Sequence, residues 1–283
     1  MFDIIVPIYK IKPLFLEQCL VSIDAQTFEN FETWIIDGTP EDWEGYEETM
    51  ELISKYPKFN YIRQSGKGVS QARNEGIHRG NNPYIAFLDG DDFWYDDHLK
   101  ELVEGIENSS KNCVLWWTAL DWVVNFVSYK TGENWDKLLT CNHWPEHNNW
   151  EEKAYRFYLS CHPVVTSGVC LLRKRFEETL GFDEELGVGE DVLLWMEMVG
   201  DFRDGEVYDC NQLEVISGFH RSHENSTSEN KTQSGMFDNE DDIYDKNFEE
   251  FIKKCKIPTM EERPEFIPLL EWKDMMKGFR KII

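Results

Sequence analysis

Three short apolar runs in the first ninety residues each stop abruptly at a turn or an acid, and segments of helical spacing separate them. Ile4-Ile5-Val6 stops at Pro7, Thr33 to Ile36 at Asp37-Gly38, and Tyr84 to Leu88 at Asp89-Gly90-Asp91-Asp92. Between them, Leu14, Phe15, Cys19, Leu20 and Ile23 repeat at helical intervals, 41–56 reads as an acidic amphipathic helix, and 69–79 as another after Gly66-Lys67-Gly68. Tyr61-Ile62-Arg63 fits a short strand between those two helices. Strand and helix alternate, which predicts a mostly parallel sheet with helices on its faces. Ligands bind such sheets at the carboxyl ends of the strands. Asp37 and the Asp89 to Asp92 cluster both fall there.

Three carboxylates at one strand tip repel one another unless solvent or a cation offsets their charge, so the tip is either a solvated acidic turn or a divalent-metal site. The bulk charge narrows the choice of ligand. With 54 acidic and 29 basic residues in 283, the formal charge is −25. That opposes binding to nucleic acid or an anionic membrane, where phosphate neutralisation supplies most of the affinity. A phosphate-bearing ligand then needs a metal or a local basic pocket. The seven cysteines are scattered without a C-x-x-C pair, as expected of reduced thiols in the cytosol. No run approaches the ~20 apolar residues of a membrane helix, so membrane contact is expected to be peripheral at most.

The second half is aromatic. Residues 113–129 (Trp116, Trp117, Trp122, Phe126) read as strands, 131–150 as a loop, and 164–172 as a further apolar segment. Trp135, Trp144 and Trp150 present faces that either stack on a sugar ring or are simply buried. Cys141, His143, His147, Cys161 and His162 match no usual zinc spacing. After Gly187-Val188-Gly189, the stripe Val192, Trp195, Met196 and Val199 marks a helix whose first turn holds Glu190 and Asp191. Alone, such acids complement the helix dipole, worth roughly 0.3 to 1 kcal/mol. Residues 229–283 read as an acidic linker and a helical extension. Its last stretch, Leu269 to Ile283, mixes apolar and basic side chains; it docks on its own domain, meets a partner subunit or touches a membrane surface.

Taken in order, these motifs resemble the family 2 glycosyltransferases with the GT-A fold across roughly residues 3 to 228. The similar features are Val6-Pro7-Ile8-Tyr9, Cys19-Leu20-x-Ser22-Ile23-x-x-Gln26-Thr27, Trp34-Ile35-Ile36-Asp37-Gly38 and Gly68-Val69-Ser70-x-Ala72-Arg73-Asn74-x-Gly76-Ile77. Phe87-Leu88-Asp89-Gly90-Asp91-Asp92, Gly181-Phe182-Asp183-Glu184, Gly189-Glu190-Asp191 and Arg221-x-His223 follow. The resemblance implies a Rossmann-like α/β fold with a nucleotide-sugar-binding half (1–112), an acceptor-binding and catalytic half (113–228) and the C-terminal extension. It implies Mn²⁺ or Mg²⁺ and a nucleotide diphosphate sugar donor, most often a UDP sugar. The acceptor would be a carbohydrate, lipid-linked or protein-linked hydroxyl, and homo-oligomerisation is left open.

By the same resemblance, Pro7, Ile8 and Tyr9 line the base pocket, Asp37 accepts from the uracil edge, and Lys67, Arg73, Asp89 and Gly90 sit by the nucleotide. Asp91 is the direct metal ligand. Arg221 and His223 bring a basic and a metal-binding group over the diphosphate, Asp191 is the general base of an inverting transfer, and Glu190 orients the site. Two departures stand out: Lys10 where the family usually has Asn, and Asp37-Gly38-Thr39-Pro40 where it commonly reads Asp-Gly-Gly-Ser or Asp-Asp-Gly-Ser. Two competitors remain: a sugar-nucleotide nucleotidyltransferase, which usually carries a glycine-rich basic loop after its first strand, and a carbohydrate-binding protein that has lost turnover.

Overall fold

The computed structural model describes residues 1–127, 134–141, 164–186, 189–200 and 208–221, with backbone alone for 122–127 and 134–141. His143, Trp144, His147, Trp150, Cys161, His162, His223 and the whole of 222–283 lie outside the described residues, as do the side chains of Trp135 and Cys141.

Strand β1 (Phe2–Ile8) lies between parallel strands β2 (Phe31–Asp37) and β4 (Tyr84–Phe87), and β3 (Asn60–Arg63) extends the parallel set beyond β2. Helices α1 (Pro13–Asp24), α2 (Tyr46–Ser54) and α3 (Val69–Arg79) make the crossovers. On the other side of β4 the sheet turns mixed. Strand β8 (Val169–Leu172) runs antiparallel to both β4 and the long β6 (Cys113–Val127). Beyond β6 lie β9 (Asp209–Arg221), parallel to it, and the two-residue β5 (Phe93–Trp94), antiparallel to β9; β7 (Asn134–Cys141) also pairs with β6. Helices α4 (His98–Asn108), α5 (Arg173–Phe176) and α6 (Glu190–Val199) complete the described chain.

Because side chains alternate across a strand, one apolar run feeds two cores. Ile4, Val6, Ala86 and Leu88 join Leu16, Leu20 and Ile23 of α1, Ile53 of α2 and Leu99 of α4 on one face. Ile5 and Phe87 join Ile77 of α3 and Trp195 and Met196 of α6 on the other. Trp116 and Trp117, adjacent on β6, divide between the two. Full burial of an apolar side chain contributes roughly 1.5–3 kcal/mol, so each short strand is anchored from both sides.

Register then sets the functional edge. Ile8 pairs with Asp37 and Asp37 with Arg63, while β4 pairs with β1 up to Phe87 opposite Ile5. The carboxyl ends of all four parallel strands therefore come out together. At the opposite end, buried Asp3 accepts from Arg173 at 2.7 Å, Trp34 at 3.0 Å and Asn82 at 2.8 Å. This ties β1 to the start of α5, away from the strand tips.

Candidate active site

The turn after β4 rests on the end of β1. A Cβ on Gly90 would stand 2.6 Å from Ile8 Cγ2 and 3.3 Å from the Pro7 carbonyl oxygen. Only a residue without a side chain lets the acidic turn lie this close. Pro7 and Ile8 are buried beneath it, whereas Tyr9 is 59% exposed at the strand tip. Lys67 is exposed on the turn before α3. Lys10 takes φ 53°, a left-handed conformation rare outside glycine, and its N–H donates to Thr39 Oγ1 at 3.0 Å. The two departures from the family pattern thus hold each other.

Asp37 has no exposed surface. Its Oδ1 accepts the Thr39 N–H at 2.7 Å, and its Oδ2 accepts the Tyr61 hydroxyl and Arg63, both at 2.9 Å. Burial together with the Asp37 charge pushes the Tyr61 phenol well above its ordinary range. These partners were not legible in the sequence, where Tyr61 and Arg63 read only as a short strand.

Arg73 joins the two carboxylate clusters. Its guanidinium is buried, donates to Asp89 at 2.9 Å and to Glu190 at 3.2 Å, and lies over the Phe182 ring with 5.3 Å to the centroid. Burial alone would lower its pKa; the charges of Asp89 and Glu190 outweigh that and raise it. Two further positions of the motif around it have a physical reason. Asn74 receives the Phe182 N–H at 2.9 Å and donates to the Phe182 carbonyl at 2.8 Å, steering the chain toward α6. Gly76 lets α3 press on the sheet, since a Cβ there would stand 2.9 Å from Ile5 Cγ2 and 3.1 Å from Ile36 Cγ1.

Helix α6 starts after Gly189 at φ 83°, which puts Glu190 and Asp191 in its first turn. Asp191 accepts the Val192 N–H at 2.7 Å and the Thr166 hydroxyl at 3.2 Å. Next to Thr166, the Ser167 hydroxyl donates to buried Asp92 and receives the Asp89 N–H at 3.1 Å. Asp92 also accepts the Arg221 N–H at 2.8 Å and contacts His220 Nδ1 at 3.0 Å. Burial opposes a charge on His220, but Asp92 beside it prevails and raises the pKa to about 9. Arg221 donates through Nε to the Asp91 carbonyl at 2.8 Å and through a second nitrogen to Gln18 at 2.5 Å, and it stacks over Phe15 at 4.1 Å.

Thr166 and Ser167 were not singled out from the sequence. Their one signal is a hydroxyl pair interrupting the apolar 164–172 segment.

Five acids, Asp89, Asp91, Asp92, Glu190 and Asp191, thus surround Arg73, His220 and Arg221. The described residues hold no group of three metal-ligating side chains. A cation completed by substrate phosphates needs only one or two protein carboxylates. Asp89 is engaged by Arg73, Asp92 by Ser167 and β9, and Asp91 is half-buried between them. That donor set fits such an ion, with His223 outside the described residues. A separate cleft of about 250 Å³, lined by Ile77, Arg173 and Leu180 among others, is not part of this cluster.

This is an α/β fold whose parallel strand tips gather two acidic motifs around a buried arginine. The Glycosyl transferase family 2 profile matches residues 3–180, and the chain belongs to that family. An uncharacterized glycosyltransferase of Rickettsia bellii is 28% identical over 196 residues, covering 69% of this chain and 26% of that protein. The succinoglycan biosynthesis protein ExoW of Rhizobium meliloti is 30% identical over 123 residues, covering 41% and 37%. The chain thus spans about a quarter to a third of these relatives. Among solved structures, S. aureus TarS in complex with UDP superposes with a TM-score of 0.58 at 15% identity, covering 90% of this chain and 64% of that one. The mannosyltransferase PcManGT of Pyrobaculum calidifontis, in complex with GDP-Man and Mn²⁺, gives 0.54 at 12%, covering 80% and 58%. These likenesses establish the GT-A fold expected from the motifs. No helix among the described residues is long and apolar enough to cross a membrane.

Proposed function

We propose that the chain transfers a sugar, with inversion, from a UDP sugar to a hydroxyl acceptor in glycan biosynthesis. The observation that carries this is Arg73, whose bonds of 2.9 and 3.2 Å bring Asp89 and Glu190, a hundred residues apart, to one locus. The donor-side turn and the acceptor-side helix then act on the same sugar. Family membership and the UDP bound to TarS support the donor class.

The donor's base lies against Tyr9. A direct hydrogen bond from its edge to Asp37 requires Tyr61 or Arg63 to yield, and Arg63, 39% exposed, is the freer of the two. Arg63 carries further N–H donors suited to a carbonyl on that edge. Asp91, beside Asp89, would hold Mn²⁺ or Mg²⁺, and that ion would supply Lewis-acid stabilisation of the departing diphosphate. Asp191 takes the proton of the acceptor hydroxyl as its oxygen attacks the sugar C1; the bond from C1 to the diphosphate oxygen breaks on the opposite face. Glu190 keeps Arg73 in place beneath this geometry, and the basic Arg221 braces the acidic turn through the Asp91 carbonyl.

Asp191→Asn tests the assignment. UDP affinity should stay near wild type while transfer falls by about 10²-fold or more; undiminished transfer would refute the role. NMR of the first product should show the anomeric configuration opposite to the donor's, and retention would contradict the inverting step.

A further inference from the structure

The turn Thr166-Ser167-Gly168 opens β8, and it carries two hydroxyls in consecutive positions that serve different carboxylate clusters. Thr166, 5% exposed, bonds Asp191 at 3.2 Å. Ser167 has no exposed surface and uses both capacities of its hydroxyl, donating to Asp92 and accepting the Asp89 N–H at 3.1 Å. Asp89 and Asp92 are the two ends of the turn that carries Asp91, closed by the Asp92 N–H to the Asp89 carbonyl at 3.0 Å. Ser167 therefore grips that turn at both ends.

The clip is itself held from several directions. The Ser167 carbonyl accepts Trp94 Nε1 at 2.6 Å, the Gly168 N–H returns to the Val165 carbonyl at 3.0 Å, and β8 is paired on both edges, with β4 and β6. Because the backbone of the turn is held, the anchor points of both hydroxyls are fixed relative to each other. The Thr166-Ser167 turn is thus a second tie, beside Arg73, between the start of α6 and the Asp89–Asp92 turn.

We propose that Thr166 and Ser167 are positioning residues that set the distance between the base and the donor-holding turn, Thr166 acting through Asp191 and Ser167 through Asp89 and Asp92. This rests on the reading of Asp191 as base and of the Asp89–Asp92 turn as the donor site. It adds that two hydroxyls, neither touching substrate, divide the control of turnover and of donor binding. A misplacement of about 1 Å in such a site is worth on the order of 10²-fold in rate, so loss of one hydroxyl is expected to be visible.

The two roles predict opposite signatures. Thr166→Val keeps shape and removes the hydroxyl: kcat for UDP release should fall about tenfold, with donor KM and calorimetric UDP affinity in Mn²⁺ held within about twofold. Thr166→Ser should recover at least about half of the wild-type kcat, because it restores the donor. Ser167→Ala should instead weaken UDP binding in Mn²⁺ by about fivefold or more; Ser167→Cys, a weaker donor of similar shape, stands in if Ser167→Ala does not fold. Unchanged kcat in Thr166→Val, failure of Thr166→Ser to recover, or unchanged UDP affinity in the Ser167 variant overturns the proposal.

Crystal structures of the variants decide the matter without turnover. The Asp191 carboxylate should shift in Thr166→Val and the Asp89–Asp92 turn in the Ser167 variant, and both staying in place overturns the clip. A wild-type chain that binds no UDP and releases none from a panel of UDP sugars would sink the donor reading instead, leaving the clip to those coordinates.

Discussion

Replacing Arg73 with Met tests the joint between the two halves of the site. The substitution keeps much of the volume but leaves Asp89 and Glu190 facing each other with the cation between them gone. Breaking a buried ion pair by removing one partner costs about 3–5 kcal/mol, since the remaining charge stays desolvated and unpaired. The Arg73 side chain is 5% exposed and Glu190 13%, but Asp89 is 29% exposed and water recovers part of its loss. We therefore expect about 2–4 kcal/mol, at the lower end of what a buried network loses. Urea denaturation measures it directly. Lys58→Met is the control: its bond to Asp24 is short, 2.6 Å, yet both side chains are about half exposed, and such pairs contribute under about 1 kcal/mol. A second substitution, Glu190→Gln in the Arg73→Met background, should restore stability by removing one of the two repelling charges. If Arg73→Met and Lys58→Met cost the same, or Glu190→Gln destabilises the double variant further, the bridge does not hold the site together.

Three further outcomes follow from the packing and from two histidines. Gly76→Ala would raise helix propensity by about 1 kcal/mol on an open surface, but the contacts with Ile5 and Ile36 should reverse the sign to a net loss of about 1–2 kcal/mol; a gain in urea resistance would refute the close approach. Burial drives the His98 pKa down to about 3, against the pull of its hydrogen bond with Ser217. Unfolding then takes up a proton below pH 6.5, stability declines from there toward pH 3, and His98→Gln should flatten that decline in pH-dependent melts. His220 is the opposite case: with a folded pKa of about 9, its contribution is complete below pH 6.5 and is lost as pH rises through 9. His220→Asn, melted in EDTA, should level the alkaline side, and a curve parallel to wild type would show that Asp92 does not hold a charged imidazole.

Where local pattern carries the information, the sequence was a good guide. Helix α3 and strands β1 to β4 were legible because apolar runs ending at turns and residues at helical spacing mark them, and the glycines at 68 and 189 marked the entries to α3 and α6. Strand β9 was not legible. Its apolar residues Cys210, Leu213 and Val215 do not keep a period of two, and its pairing with β6 is broken by register shifts after Cys113, Thr118 and Ala119. The partners of the site acids were hidden for a different reason. Asp37 is bound by Tyr61 and Arg63 on the next strand, and Asp92 by Ser167 in the turn before β8 and His220 on β9, so no window of sequence holds both members of a pair. Asp92 read only as the third acid of the turn, whereas its carboxylate bonds Ser167, His220 and the Arg221 N–H.

The most direct test of the account is a calorimetric titration of the chain with UDP, with and without Mn²⁺, beside Asp91→Ala. Wild type should bind UDP only with the cation present, and Asp91→Ala should lose that binding. Equal affinity in all arms, or binding indifferent to Mn²⁺, would contradict it.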